Sequence, residues 1–478
     1  MTLRDLMGNG APEIEISGLA YASQSVTPGA LFFCVPGFRA DGHDFAPDAV
    51  ERGAVALVCE RPLGLGVPEV LVDDVRAAMG PAAARFYGDP TTELALVGVT
   101  GTNGKTTTAF LIRHLFEAAG RQCGLLGTVK RVVAGVEEEV ERTTPEAIDL
   151  QQTFRRMVDG GDLACAMEVS SHALELGRVA GIRFAGRIFT NLTQDHLDFH
   201  DTMEAYFLAK RRLFDEGGLA VVNVDDDYGR RIAAEVDCVT FAIEREADDR
   251  ARDIEFDLMG SRFTCETPDG EIRIESPLPG VFNVMNVLGA VAAVRSLGVP
   301  EISLDGFGRV PGRFEPVDEG QEFGVLVDYA HTPDSLENVL RAAREVTRGR
   351  LHAVFGAGGD RDRGKRPLMG DAARRLADRV LVTSDNPRSE PPDAIIDEIM
   401  RGAGEDAERE PDRRRAIALA IGSAEPGDVV VIAGKGHEQG QEFENGRKEP
   451  FDDVAVAREA LRARRAGGAP ATRAGGGT

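Results

Sequence analysis

The segment GTNGKTT, Gly101 to Thr107, sets a Gly-Lys-Thr triplet where the apolar run LALVGV gives way to a helical pattern from Lys105 to Ala119. At such a junction the backbone N–H groups of Gly101, Thr102, Asn103 and Gly104, together with the positive helix end, can hold phosphate oxygens. Lys105 would reach the outer phosphates, and Thr106, followed by Thr107, would offer a hydroxyl to magnesium. The general phosphate-loop pattern asks for a glycine five positions before Gly104; that position is Val99, and the glycine lies one earlier, at Gly98. A bare turn with an N-capping threonine is the plain alternative, but the strand before it and the helix after it favour a nucleotide.

A second group follows in MEVSSHAL, TNLTQDHLDFH and YFLAKRRLF, which carry Glu168, His172, Asp195, His196, Asp198, His200 and Lys210. These fall near the ends of predicted strands or on the helix that follows, where carboxylates and imidazoles suit a divalent metal. One histidine alone would read as structural; three of the eight so close together favour ligation. Lys210 stands out because only six of the 55 basic residues are lysine: Lys105, Lys130, Lys210, Lys365, Lys435 and Lys448. Where positive charge suffices this chain uses arginine. A desolvated lysine amine can lose its proton and take up carbon dioxide as a carbamate, which a guanidinium cannot readily do. Part of a basic helix face, beside Arg211 and Arg212, is the ordinary reading of the same residue.

Those groups need rigid elements around them. The runs ALFFCV, AVALVC and VPEVLV predict short strands about a helix, a small α/β unit ending near Asp89 and Pro90. LALVGV, LACAMEV, GRIFTNL and LAVVNV alternate with helical segments, which predicts a mostly parallel sheet covered on both faces. The acidic stretch from Glu244 to Asp257 reads as a solvated excursion before a hairpin, and a helix is expected from Asn283. A third α/β unit begins near Arg313, with FGVLVDY, LHAVFGA, RVLVTSD and DVVVIAG as strands. The closing GGAPATRAGGGT reads as a disordered tail.

Composition narrows the partners. A chain of 478 residues exceeds one hydrophobic core and points to roughly two or three domains. A net charge of −24 argues against nucleic acid or anionic lipid as a partner. The six cysteines are scattered, mostly inside apolar runs, and read as reduced core residues. No signal-like start and no membrane-length apolar stretch is seen, so a cytoplasmic protein is expected.

Taken in order, GTNGKTTT, MEVSSHAL, TNLTQDHLDFH, AKRRLF, GVFNVMN, VPGRFEPV, VDYAHTPDSLENVL, GAGGDRDRGKRPLMG, SDNPR and AGKGHE resemble the Mur ligase family over about Ser23 to Arg458. The resemblance implies a three-domain α/β protein: residues 1–88 for the uridine diphosphate end of the substrate, 89–311 as a central ATPase domain, 312–464 as a Rossmann-like domain for an incoming amino acid, and 465–478 as a tail. It implies an ATP-dependent amide ligase of peptidoglycan precursor synthesis, working through an acyl phosphate on the D-glutamate γ-carboxylate of UDP-MurNAc-L-Ala-D-Glu. A monomer with two magnesium ions is expected. Inside the family, a D-Ala-D-Ala-adding enzyme or a folylpolyglutamate synthetase is the alternative; outside enzymes, a silent nucleotide-binding scaffold.

Carried over by residue, Lys105, Thr106, Glu168 and His196 would handle phosphates and metal, with Lys210 as the carbamylated lysine. Asn283 and Asn286 would face adenine, while Arg313, Asp328 and His331 would approach the nucleotide from the third domain. Tyr21, Ser23, Phe38, Arg39 and Ala40 match the uridine end, and Thr143, Thr144, Ser170 and Arg178 the central contacts with the sugar peptide. The usual Asp-Ser-Arg triplet reads Ala22-Ser23-Gln24 here, so two charges are missing at the uridine end. Asp385, Asn386, Pro387 and Arg388, with Arg361, Gly434 and Glu438, would form the amino-acid pocket. Arg388 favours meso-diaminopimelate over L-lysine, because a guanidinium can grip the distal carboxylate. Lysine would be expected to leave that arginine buried and unpaired.

Overall fold

The computed structural model describes residues 1–37, 40–140 and 142–468. Three mostly parallel sheets follow one another along the chain. The first has four strands in sequence order, Gly18–Ala20, Ala30–Phe33, Ala54–Cys59 and Glu69–Leu71, all parallel. Helix Val75–Phe86, capped by Asp74, covers it. Its core includes Leu31, Phe33, Val58 and Met79, and also Ala147 and Ile148 of the next unit, so the two units share apolar contacts.

The middle of the second sheet is the parallel set Leu219–Asn223, Gly186–Phe189, Ala95–Thr100, Ala164–Glu168 and Cys123–Leu126, in that spatial order. Ala95–Thr100 lies in the middle, so the connections leave it to opposite sides. A doubly wound sheet opens a crevice at such a point, at the carboxyl ends of the strands. Helices Lys105–Ala118 and Val281–Ser296 pack on it around Leu111, Ile112, Val287 and Val291.

The third sheet has Gly324–Asp328, Val429–Ala433, Leu351–Phe355, Arg379–Val382 and Glu408–Arg409 in parallel, with an antiparallel edge strand at Glu315–Pro316. Five of the six cysteines are buried and all six are free thiols. Among the described residues no helix is long and apolar enough to cross a membrane.

Two expectations are corrected. The acidic stretch before the hairpin is structured: Asp249–Asp257 is a strand, parallel to Val239–Ala242 and antiparallel to Gly260–Thr267. Its charges alternate outward while Asp249 and Ala251 are buried, and Asp249 receives hydrogen bonds from Arg295 at 3.2 and 2.8 Å. The tail is shorter than composition implied. The last helix, Asp453–Gly468, continues through 465–468, and 469–478 lie outside the described residues.

Replacing Arg295 with alanine strands the Asp249 carboxylate inside the protein. Urea unfolding should then show a loss of about 3–5 kcal/mol in the transition of the central unit; an unchanged midpoint would mean the pair is not structural.

Candidate active site

A cavity of about 960 Å³ opens where the carboxyl ends of the central strands meet the third sheet. Its floor is the glycine loop between strand Ala95–Thr100 and helix Lys105–Ala118. Gly104 has φ +86°, and a Cβ there would come within 2.2 Å of Asn286 Oδ1, so only glycine lets the loop pass. No side chain caps the first turn of the helix. Its free N–H groups and positive end form an anion site.

Two amines meet over this loop, that of Lys210 buried and that of Lys105 half-buried. Lys105 Nζ donates to the carbonyls of Gly101 at 3.0 Å and Thr102 at 2.8 Å. Lys210 Nζ donates to the same Gly101 oxygen at 2.8 Å, with its side chain buried and no ion pair to a carboxylate among the described residues. Burial lowers the pKa of both. At Lys210 the neighbouring Lys105 charge adds to that effect and takes the amine well below its ordinary value.

Beside them Thr106 donates to Glu168 Oε2 at 3.0 Å. Thr128 holds that carboxylate from the other side, through its N–H on Oε1 at 2.7 Å and its hydroxyl on Oε2 at 3.1 Å. A hydroxyl at the start of the loop's helix and a carboxylate from the end of the adjacent strand suit magnesium, which binds through few protein oxygens plus substrate phosphates. They do not form a closed cage: among the described residues no three His, Cys, Asp or Glu side chains converge as metal ligands.

The histidine cluster is therefore split. His200 is buried and shares a hydrogen bond with Ser171 Oγ at 2.9 Å, a structural role. The His172 ring stacks on Phe199 with centroids 4.1 Å apart and lies 4.9 Å from His196. Burial, then the His200 charge, pushes His172 down to about 4, so it is neutral near pH 7. His196 lines the cavity with a left-handed backbone, φ 53°, and pairs with Asp195 at 3.4 Å. Burial opposes the Asp195 carboxylate, but the His196 and His331 rings and the Lys365 ammonium outweigh it and hold the group low.

The third sheet closes the roof. The carboxyl end of Gly324–Asp328 carries Asp328 and His331, both lining the cavity. Asp328 accepts the N–H groups of Phe314 at 2.6 Å and Ala330 at 2.7 Å, and burial pushes its pKa up to about 6. Arg313 lies over the Tyr329 ring at 4.6 Å and donates to Thr106 Oγ1 at 3.0 Å, a bond between the two units. Asp334 accepts from Asn103 at 2.8 Å and Thr193 at 3.2 Å across the same boundary. Opposite the loop, Val281, Phe282, Met285, Val339 and Ala342 make an apolar wall suited to a flat base. Asn286 lines this space, but Asn283 does not: its amide donates to the Pro279 carbonyl at 2.8 Å and its oxygen accepts from Asn286.

On the far side Thr143, Thr144, Ser170 and Arg178 also line the cavity. Arg178 donates to the Thr144 carbonyl at 3.2 Å and is ion-paired with Glu146 at 2.9 Å. Arg142 also lines the cavity and is held by Glu146, and neither residue belongs to a recognisable motif. Glu146 also pairs with Arg142 at 3.3 Å and with Arg76 of the first unit at 3.0 Å, tying that unit to the cavity wall. Of the uridine-end residues, Tyr21, Ser23 and Ala40 do not line the cavity. Tyr21 donates to Asp149 at 2.7 Å, Ser23 is buried in a short helix, and Ala40 is exposed. Phe38 and Arg39 fall outside the described residues.

Asp385, Asn386, Pro387, Arg388, Gly434 and Glu438 gather past the carboxyl ends of strands Arg379–Val382 and Val429–Ala433, which flank Leu351–Phe355 in the third sheet; of the expected amino-acid residues only Arg361 lines the cavity itself. Gly434, at φ +118°, leaves room for Asp385, whose Oδ2 a Cβ would meet at 2.3 Å. Arg388 is left-handed, φ 51°, and donates to Glu442 Oε2 at 2.9 Å and to the Gly359 carbonyl at 2.7 Å. The expectation that Arg388 stands unpaired without a ligand carboxylate is thus corrected: Glu442 already accompanies it. Orphaning of the arginine cannot supply several kcal/mol of discrimination on its own.

Family models match most of the chain: Mur ligase family, catalytic domain, at residues 15–87; Mur ligase middle domain at 99–294; and Mur ligase, glutamate ligase domain, at 312–436. A UDP-N-acetylmuramoyl-L-alanyl-D-glutamate--2,6-diaminopimelate ligase of Geobacillus thermodenitrificans is 50% identical, covering 94% of this chain and 96% of the relative. One of the same name from Streptomyces coelicolor is 48% identical over 96% of each chain. A solved structure of such a ligase aligns with TM-score 0.69 at 36% identity, over 94% of this chain and 95% of its own.

The Arg313 bond to Thr106 makes one direct prediction. Calorimetry with ADP should find Arg313→Ala about tenfold weaker, near 1.4 kcal/mol; undiminished affinity would show that the third sheet does not complete the nucleotide site.

Proposed function

The chain belongs to the Mur ligase family, and from that premise we propose that it joins meso-diaminopimelate to the D-glutamate γ-carboxylate of UDP-MurNAc-L-Ala-D-Glu at the expense of ATP. The observation that carries the reading is the 3.0 Å bond from Arg313 to Thr106. It draws the strand ends of the third sheet over the glycine loop, so an acyl phosphate formed at the loop would lie before the unit that supplies the amine. The near full-length identity to relatives named for diaminopimelate supports the choice of amino acid.

The division of labour follows the sheets: residues 1–88 take the uridine end, 89–311 ATP, and 312–464 the incoming amino acid. The γ-carboxylate attacks the terminal phosphorus and ADP leaves; the amine then attacks the acyl carbon, loses a proton, and phosphate departs. Lys105 and the N–H groups of the first helical turn neutralise the phosphates. Arg178 and Thr144 hold the peptide end, and closure by Arg313 keeps water from the acyl phosphate. Thr106 and Glu168 would hold one magnesium ion, and His196 with a carbamate on Lys210 a second; such ions supply charge neutralisation at the phosphates.

The carbamate reading rests on Lys210 itself. Its amine is buried, lacks a carboxylate partner among the described residues, and is lowered in pKa by burial and by Lys105. The ammonium first gives up one proton to solvent; the neutral amine then adds carbon dioxide and releases a second, which in total converts two adjacent cations into a cation and an anion. The reaction takes place in the cytoplasm, where the nucleotide precursor is made, and the enzyme acts as a monomer.

Phosphate release from ATP with the UDP-MurNAc-dipeptide should be fast with meso-diaminopimelate, weaker but measurable with L-lysine because Glu442 pairs Arg388, and at background without an amino acid. Equal release in all three would refute the assignment. Lys210→Ala should fall to background, and wild-type enzyme stripped of carbon dioxide at mildly alkaline pH should recover on adding bicarbonate. Full activity in both cases would exclude the carbamate.

A further inference from the structure

Lys435, two residues past strand Val429–Ala433, has a side chain with no exposed surface. Its ammonium donates to Asn386 Oδ1 at 2.8 Å and to Glu438 Oε2 at 3.0 Å, and lies 4.0 Å from Asp385 Oδ1. Asn386 Nδ2 donates to the same Glu438 oxygen at 2.8 Å, and Asn386 Oδ1 also accepts the Glu442 N–H at 2.9 Å. The three side chains therefore close a ring of hydrogen bonds.

That ring has two consequences. The Asn386 amide has one permitted orientation, because turning it over would set its NH₂ against the Lys435 ammonium and the Glu442 N–H. Glu438 Oε2 takes two bonds, whereas Oε1 takes none among the described residues. The charges also leave a remainder: Asp385 and Glu438 are two carboxylates around one ammonium, so the cluster can accept one more cation.

Resting on the ligase reading above, we propose that Lys435 is a positioning residue for the incoming amino acid, which turns Glu438 so that Oε1 receives the ammonium of the amino acid and fixes Asn386 beside it. Lys435 touches no reacting atom. Its contribution is orientation, of the kind that costs about 10–100-fold when removed from a ligand shell.

The test is steady-state kinetics of full-length Lys435→Met and Lys435→Gln, with ADP-induced thermal shift as the check on folding. In Lys435→Met the KM for meso-diaminopimelate should rise at least about tenfold while the KM for ATP stays within about twofold. Lys435→Gln, which can still donate to one acceptor, should lie between. In a Glu438→Gln background, where an NH₂ replaces the receiving oxygen so that orienting it gains nothing, adding Lys435→Met should cost about threefold or less, since the two changes act through one contact. An unchanged KM for diaminopimelate, equal increases for both substrates, full additivity with Glu438→Gln, or loss of the ADP shift in both variants would overturn the proposal. Failure of the ligase reading is separate: it would appear as wild-type enzyme that does not use diaminopimelate at all.

Discussion

Two lysines, Lys210 buried and Lys105 half-buried, end on one oxygen. The Gly101 carbonyl accepts from both Lys105 and Lys210, and among the described residues neither amine is matched by a carboxylate at hydrogen-bond distance. Desolvation makes charge expensive there, and each amine raises the cost for the other. In the proposed reading, anions from outside the polypeptide would relieve this arrangement: phosphates at the helix N-terminus, and a carbamate formed on Lys210. A protein with net charge −24 that takes strongly anionic substrates needs such a place, where local positive charge is only partly offset, here by Glu168 and Asp195.

The rest of the architecture serves that point. The central strands bring Thr100 and Glu168 to adjacent carboxyl ends, which sets the loop and its carboxylate side by side. The third sheet delivers its own groups by the same rule, since Asp328, Arg361, the Ser384–Arg388 segment and Lys435 all follow the carboxyl ends of its parallel strands. Two crevices of like construction thus face each other, joined by Arg313 on Thr106 and Asp334 on Asn103. The first unit is tied in differently, by Tyr21 on Asp149 and by Arg76 on Glu146.

The legible parts of the sequence were those set by local pattern. LALVGV, LACAME, GRIF and LAVVN are strands because buried parallel strands are continuous apolar runs, and the glycine loop is recognisable because its junction chemistry is local. What stayed hidden depended on partners distant in the chain. Asp249 looks like part of an acidic loop until Arg295 is placed against it, and Arg388 looks like an unpaired specificity residue until Glu442 is. His200 reads as a ligand by proximity in sequence, whereas its partner, Ser171, lies on another helix. Lys435 was visible as a rare lysine inside AGKGHE, but its role needed Asn386 and Glu438 in space.

The central claim is that this cleft forms an acyl phosphate on a substrate carboxylate and then hands it to an amine. The most direct test uses UDP-MurNAc-L-Ala-D-Glu labelled with oxygen-18 in the γ-carboxylate, with mass analysis of the phosphate released during turnover with meso-diaminopimelate. One labelled oxygen in each phosphate is the predicted result, because the bond between carbon and oxygen breaks when the amine displaces phosphate. Phosphate free of label, with turnover intact, would contradict the account.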